Sequence, residues 1–384
     1  MKHIHPLVKE YGELDSLDWD RLWMDIQMAI SEGAVNEHTH PNHPSLVGYD
    51  YSEKCTYDKL WDEHPVARFC RGLVLDVVKC EVVCLCPAKF MNLTEPGCDI
   101  TPEELINTPL INVEEKVDGS AGLIFKYNGE WIVKTRGSFI SDQAKMASTW
   151  LQNDGLPGFE GISFFAEIIY PENRVIVDYG DYRGFISIGC YNRHGDWFEI
   201  PSLNLFVFGL VKKEHCTYEM KRTKYSFDTL QEVMKTLSSN EEGFIIIMKD
   251  GRRCKMKGEQ YLILHKAKFG LTPIAVWEAM KAFKVEEARK LLPEEFHNTF
   301  DSYNKSLINK VRALEHEYYR VCEDMLETLP DAYTRKDFAL AVQKFDKKYH
   351  PYCFAILKDS IKEIHDIRMN ILLALVYPKN NIIE

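Results

Sequence analysis

No part of this chain holds an apolar run long enough to cross a bilayer. The longest near its end, residues 371–377, falls well short of the roughly 20 residues that a spanning helix needs, which predicts a soluble protein with no membrane partner. Positive charge is also scarce: 47 Lys and Arg stand against 58 Asp and Glu, a formal net charge of −11. A generally basic coat for nucleic acid is thereby excluded. Any contact with such a polyanion has to come from a local patch and to weaken as salt rises. The deficit is uneven, with 30 basic against 40 acidic residues up to position 269 and 17 against 18 beyond it. The cysteines lack a framework, since none of the 11 forms a Cys-x-x-Cys pair that would support zinc. With no signal peptide in view, free thiols in a reducing cytoplasm are expected. Cys84 and Cys86 are expected to share the buried face of a strand over 82–86.

What is present is apolar and aromatic. Hydrophobic residues make up 45% and aromatics 12%, ample for a sizeable core, and 384 residues suggest two domains. Up to about residue 268, period-two alternation and turn residues predict antiparallel β-sheets with flanking helices. From Glu259 onward the spacing turns helical, which predicts an all-α domain over 269–384 and makes the whole an α+β protein. Trp19, Leu22, Trp23, Ile26 and Ala29 mark an early helix. His38-Thr39-His40-Pro41-Asn42-His43 reads as a solvated loop, because no acid or cysteine is spaced to complete a metal site. Strands are expected over 47–51, after Arg71-Gly72, and over 162–169, 175–177 and 185–190, with a helix capped by Ser141 running through Met146, Trp150 and Leu151. In the tail, a helix takes in Tyr261 to Lys268, and Thr272-Pro273 opens another. Longer ones are expected over 293–329, 335–345 and 352–377.

One hexapeptide organises the rest: Glu115-Lys116-Val117-Asp118-Gly119-Ser120, a lysine at a tight turn between apolar strands, followed by an Asn128-Gly129 hairpin turn. A lysine attacks phosphorus only as the neutral amine, and burial or cationic neighbours favour that form. Lys255 and Lys257 alternate in one strand and so share a face. Gly119, lacking a Cβ, is expected to let the backbone approach a ligand. Glu167 is the lone carboxylate in a strongly apolar run, costly unless it meets a cation or donors. Glu242 opens another buried strand, and the Asp250-Gly251 turn predicts a hairpin that brings it across from Lys257. The planar guanidinium of Arg71 suits phosphate. Lys134 and Arg136 alternate on one face, where two cations could grip phosphate oxygens.

Lys116-x-Asp118-Gly119-Ser120 resembles the nucleotidyl-lysine motif of ATP-dependent ligases and capping enzymes. Thr135-Arg136-Gly137-Ser138, Phe165-Ala166-Glu167, Glu242-Gly243-Phe244 and Lys255-Met256-Lys257 resemble the other motifs of this covalent nucleotidyltransferase superfamily, in order and spacing. The helical tail departs from DNA ligases and capping enzymes, which usually continue into a small β-barrel. It resembles the RNA ligases of T-even phages that reseal cleaved tRNA, and the likeness covers roughly the whole chain. The resemblance implies a nucleotidyltransferase domain over 1–268 and a helical RNA- or tRNA-specificity domain over 269–384. It implies ATP with Mg²⁺ or Mn²⁺, and tRNA or single-stranded RNA ends as partners; whether a separate end-healing kinase-phosphatase prepares those ends is left open by the sequence.

On the same pattern Lys116 is the catalytic nucleophile, aided by Lys255 and Lys257. Tyr49, Arg71, Lys89, Glu115, Gly119, Arg136, Glu167 and Glu242, with Lys255 and Lys257, contact the nucleotide. Glu242 and Glu167 hold metal, Glu286 or Glu287 aligns with a further metal-binding acid, and Tyr261 aligns with a tyrosine near the active site. Asn173 and Arg174, in a turn like the family's, are candidate contacts. Two positions depart from the pattern: Met91 stands where Lys-Phe-Phe-Asn-Leu has its second phenylalanine, and Arg136 where a lysine is usual. The competing readings are another lysine nucleotidyltransferase, acting as a DNA ligase or capping enzyme, and a non-catalytic ATP-binding module.

Overall fold

The computed structural model describes residues 3–152, 158–292, 296–358 and 360–379. The protein is α+β, and it divides into two compact units, Met1–Leu262 and Ile263–Glu384. That division and the boundary expected after residue 268 both fall inside the helix Glu259–Gly270.

Three antiparallel sheets build the first unit. The largest has six strands in the order His3–Ile4, Asp196–Phe198, Gly184–Tyr191, Ser163–Ile169, Ser120–Tyr127 and Glu130–Thr135. A second runs Arg222–Tyr225, Ile111–Glu115, Gly243–Ile247 and Arg253–Lys257, and a third Val35–His40, His43–Tyr51, Arg71–Asp76 and Glu81–Cys84. The central strand Ser163–Ile169 is buried along its whole length because both of its faces meet apolar cores. Phe165 and Ile169 enter one core, while Phe164, Ala166 and Ile168 enter another. By the same alternation Glu167 lies on the side of Phe165 and Ile169.

Lys116 lies where the chain leaves the second sheet for the first. Ile111–Glu115 pairs with Gly243–Ile247, whereas Ser120–Tyr127 pairs with Ser163–Ile169, so the hexapeptide is a crossover between sheets. Two features hold it there. A Cβ on Gly119 would come within 2.4 Å of Ile169 Cδ1 and 2.9 Å of the Ile168 carbonyl oxygen. Its bareness therefore admits the neighbouring strand of this protein, where the sequence pointed to a ligand. Asp118, 5% exposed, accepts hydrogen bonds from the amides of Ile176 (2.8 Å) and Val177 (2.9 Å) and from the Tyr261 hydroxyl (2.8 Å). Beyond the crossover, Asn128 (φ +50°) and Gly129 (φ +85°) make the expected hairpin turn.

Elsewhere the local expectations meet mixed outcomes. Asp18 caps the early helix Trp19–Ser31, and Ser141 caps Asp142–Ser148, which ends before Trp150. Cys84 and Cys86 are buried as free thiols. The histidine-rich stretch is a strand hairpin instead of a loop, with His38 Nε2 2.6 Å from Asp50 Oδ1, and among the described residues its three histidines form no metal-ligand group. Residues 175–177 form no strand, because Asp118 takes two of their amides. In the second unit Thr272 caps Pro273–Lys281, and a Thr334–Asp337 capping box opens Arg335–Val342. His297–Glu327 buries Leu307, Val311, Tyr318, Cys322 and Met325 along one stripe; residues 293–295, where that helix was expected to begin, lie outside the described residues. The helix expected over 352–377 is broken into His350–Phe354, a 3₁₀ turn Ala355–Leu357, and Ile361–Leu375, which Ser360 caps afresh. Among the described residues no helix is long and apolar enough to cross a membrane.

Gly119→Ala is expected to destabilise the first unit by roughly 1–3 kcal/mol, the usual cost of forcing extra atoms into a packed site. Urea unfolding of the variant beside wild type measures it, and an unchanged midpoint would contradict the packing argument.

Candidate active site

The lysine that follows Ile111–Glu115 is fixed at both ends. Its amide donates to the Gly243 carbonyl at 2.9 Å, and its Nζ donates to Glu242 Oε2 at 2.7 Å. The other carboxylate oxygen, Oε1, is 2.8 Å from Lys257 Nζ. Glu242 is 3% exposed, so one buried carboxylate is shared between two ammonium groups. Backbone geometry makes this possible. Gly243, at φ +138°, pairs with Lys257, and a Cβ there would lie 2.1 Å from the Met256 carbonyl oxygen. Only glycine lets the hairpin close at that point, which sets Glu242 beside Lys257.

Lys116 and Lys257 open onto a cleft. Arg71, Lys89 and Lys255 supply further positive charge to its walls, Glu115 and Glu167 the acids, and Ile188, Met220 and Ile245 an apolar surface. Lys255 lies in the cleft with Lys257, as strand alternation requires, and its pKa falls to about 8, first through burial and then through the charges of Lys89, Lys116 and Lys257. The Arg71 guanidinium lies over Phe90 and Phe165, each ring centroid 5.3 Å away, and donates to the Pro87 carbonyl at 3.3 Å. Lys89 Nζ stands 5.0 Å from the centre of the Tyr51 ring. Among the described residues no acid lies within ion-pair distance of Arg71, Lys89 or Lys255.

Several candidate residues fall elsewhere. Tyr49 is fully buried, its hydroxyl has no hydrogen-bond partner, and it does not line the cleft, whereas Tyr51 does. A register shift between Tyr49 and Asp50 breaks the even alternation along this strand. Arg136 stacks on Tyr51 (4.6 Å) and reaches Asp50 (4.0 Å), so it supports a lining residue without lining the cleft itself. Lys134 is wholly buried, donates to the Arg136 carbonyl, and has its pKa lowered by burial to about 8; it is not a second phosphate grip beside Arg136. Met91 is core, its carbonyl accepting from the Lys255 amide, and the neighbouring Phe90 is the ring that reaches the cleft. Phe90 and Tyr51 are thus lining residues that sequence reasoning missed, although each stands within two positions of a candidate. Glu115 accepts hydrogen bonds from the Tyr218 hydroxyl and the Lys221 amide. Tyr261 is held by Asp118, with Lys257 over its ring at 5.1 Å. Asn173 bonds Ser120 and Gln143, and Arg174 bonds the Ile176 carbonyl and Asp178. In the second unit, Glu286 and Glu287 are exposed in the first turn of the helix Val285–Lys290.

Glu167 is the anomaly of the cleft. It is 9% exposed, and its Oε2 is buried with no hydrogen-bond partner. Burial raises its pKa to about 7; Lys116 opposes that rise, and Glu242 adds to it. An unsatisfied carboxylate beside a second acid is a poor resting arrangement and a good one for a visiting cation. The hard oxygen donors of Glu167 and Glu242 fit Mg²⁺ or Mn²⁺ by type.

No protein-family model matches the chain. Over 232 residues, 53% of the chain, it is 26% identical to a protein of Autographa californica nuclear polyhedrosis virus provisionally named a bifunctional polynucleotide kinase/RNA ligase. The match spans 32% of that protein, so the chain corresponds to about a third of the length of its viral relative. Among solved structures, an archaeal ATP-dependent RNA ligase is similar in two structures, form 1 and form 2. One aligns with a TM-score of 0.46 at 13% identity over 85% of this chain and 89% of the other. The second gives a TM-score of 0.44 at 13% identity with the same coverage, 85% and 89%.

The proton on Glu167 carries a pH signature. Between the ordinary glutamate value and about 7, the folded protein holds a proton that the unfolded chain has lost, so this group makes stability fall as pH rises through that window and adds no further slope above it. Glu167→Gln should therefore gain roughly 3–4 kcal/mol on wild type at pH 8, in the absence of divalent cations, and converge with it near pH 4. Urea unfolding across that range measures the difference; parallel curves would show that Glu167 is not held protonated.

Proposed function

We propose that the chain is an ATP-dependent RNA ligase. It would join a 5′-phosphate to a 3′-hydroxyl through a lysine–AMP intermediate and an AMP-capped RNA, in the repair of cleaved tRNA anticodon loops. The observation that carries this reading is the meeting of Lys116 with Glu242, 126 positions away, beside Lys257, Lys255 and an unsatisfied Glu167. A structural lysine–glutamate pair does not call for a cleft lined with unpaired cations. The apolar wall of Ile188, Met220 and Ile245 suits a purine, and Arg71, Lys89 and Lys255 suit a triphosphate.

Lys116 Nζ loses a proton to solvent and attacks the α-phosphorus. The N–P bond forms as the bond to pyrophosphate breaks, and pyrophosphate leaves with the electron pair. Glu242, accepting the Nζ hydrogen bond, orients the nitrogen, and Lys255 and Lys257 balance charge that develops on the phosphoryl oxygens. An oxygen of the RNA 5′-phosphate then displaces the lysine from AMP. Finally the 3′-hydroxyl displaces AMP and closes the phosphodiester. Glu167 and Glu242 would hold a divalent cation, which when bound lends further positive charge to the phosphates. Support for RNA as substrate comes from the motif order, the helical tail and the name of the viral relative. The pairing of kinase and ligase in that name supports an end-healing kinase acting before this chain.

Incubation with α-labelled ATP or GTP and Mg²⁺ should label wild type from ATP alone, through a phosphoramidate bond to lysine that acid cleaves and alkali leaves intact. Lys116→Ala should take no label, and label retained on that variant would exclude the assignment. Glu242→Gln should slow labelling about 10²–10³-fold, in the range seen when one preorganised electrostatic partner is lost. Sealing of 5′-phosphorylated nicked tRNA, but not of a nicked DNA duplex, separates the RNA reading from the DNA one.

A further inference from the structure

We propose that a second cavity, adjoining the cleft and walled by Arg253, Lys9 and Lys89, seats the phosphate group that lies opposite Lys116 during transfer. That group is the pyrophosphate leaving in the first step and the RNA 5′-phosphate entering in the second. The inference rests on the ligase reading above and extends it to residues outside the motifs.

Alternation along the strand Arg253–Lys257 lines up Arg253, Lys255 and Lys257 on one face, with roughly 7 Å between successive members. Lys257 ends at Glu242, Lys255 faces the cleft, and Arg253 faces the second cavity. The two cavities share Lys89 and Phe90 as a common wall, while Lys116 lines the first and not the second. Phosphoryl transfer needs the attacking and leaving atoms roughly in line. When Lys116 attacks, pyrophosphate must depart from the opposite face of the α-phosphorus. When the RNA phosphate later displaces the lysine, it must enter by that same face. The chemistry therefore needs an anion position on the side of the α-phosphorus away from the lysine, and the cation row leads from the cleft through the shared Lys89 wall to the second cavity.

Charge supports the same place. Among the described residues neither Arg253 nor Lys9 has an ion pair, and Arg253 Nε is buried without a hydrogen-bond partner. The nearby carboxylates are already engaged. Of the two that line the cavity, Asp250 holds Arg252 at 2.7 Å and Asp99 lies 3.5 Å from Arg68; Glu114, which also feels the charge of Arg253, accepts from Arg222 at 2.9 Å. Trp197, 4.3 Å from the guanidinium carbon, fixes the plane of Arg253. Stacking on that ring would explain Arg253 alone, but not Lys9 and Lys89 around the same cavity. In a chain of net charge −11, adjacent unpaired cations are best satisfied by an arriving anion.

Calorimetric titration of the full chain with inorganic pyrophosphate, without ATP, tests the seat directly. Arg253→Gln and Lys9→Glu should each weaken binding about tenfold, the worth of one charge-assisted contact. Unchanged affinity in both overturns the proposal. Lys9 is exposed, so Lys9→Glu carries the test even where Arg253→Gln disturbs the fold. Chasing the adenylylated protein with pyrophosphate or with a 5′-phosphorylated RNA oligonucleotide, against a 5′-hydroxyl blank, tells the two sources apart. A raised half-saturating concentration in either arm supports the seat and names its occupant, and no shift in either arm overturns it. A wild type that shows the variant-sensitive binding yet forms no lysine–AMP retains the phosphate seat and sinks the ligase reading.

Discussion

The site depends on a buried carboxylate, Glu242, shared between the ammonium groups of Lys116 and Lys257. Charges taken out of water are unfavourable by themselves, and this arrangement holds because each oxygen finds its own cation at hydrogen-bond distance. Its value is positional. The two lysines belong to different strands, and the carboxylate fixes both side chains toward the same cleft. Gly243 is the backbone condition for that contact, since any side chain there would push the hairpin strands apart.

A division of labour among the cations follows. Lys116 and Lys257 are neutralised from within, whereas Arg71, Lys89 and Lys255 keep their charge for something that arrives. The pKa of Lys255 is depressed first by its burial and then by the cations gathered around it. Glu167 is the counterpart among the acids, a carboxylate in the same cleft without a donor and disposed to stay protonated near neutrality. Both kinds of frustration would be relieved by ligands of opposite charge, and neither improves the stability of the free protein.

Much of this was legible in the sequence because the chemistry-bearing residues sit at strand ends, where alternation fixes the face. The shared face of Lys255 and Lys257, the hairpin that sets Glu242 across from Lys257, and the isolation of Glu167 in an apolar run all follow from period-two counting. The misreadings have physical causes. Tyr49 and Tyr51 are two apart and look equivalent until a register shift in the strand separates their surroundings. Lys134 sits on an edge strand and so looks exposed, but Arg136 and Phe139 cover it. The 175–177 segment has strand-like composition, yet its amides go to a side chain, a contact that composition does not reveal. The break before Ile361 was signalled only by Ser360, a weak mark within an otherwise continuous apolar pattern.

Asp118 has a bearing on how the lysine loop moves. It fastens that loop to the 176–177 backbone, to Tyr261 at the start of a helix and, through its own amide, to the Tyr179 hydroxyl at 2.9 Å. Opening the loop therefore means releasing several buried hydrogen bonds at once, which makes it an all-or-none event instead of a gradual fraying. Slow solvent exchange at the amides of Ile176 and Val177 would then serve as a clock for how often the segment that carries Lys116 leaves its place.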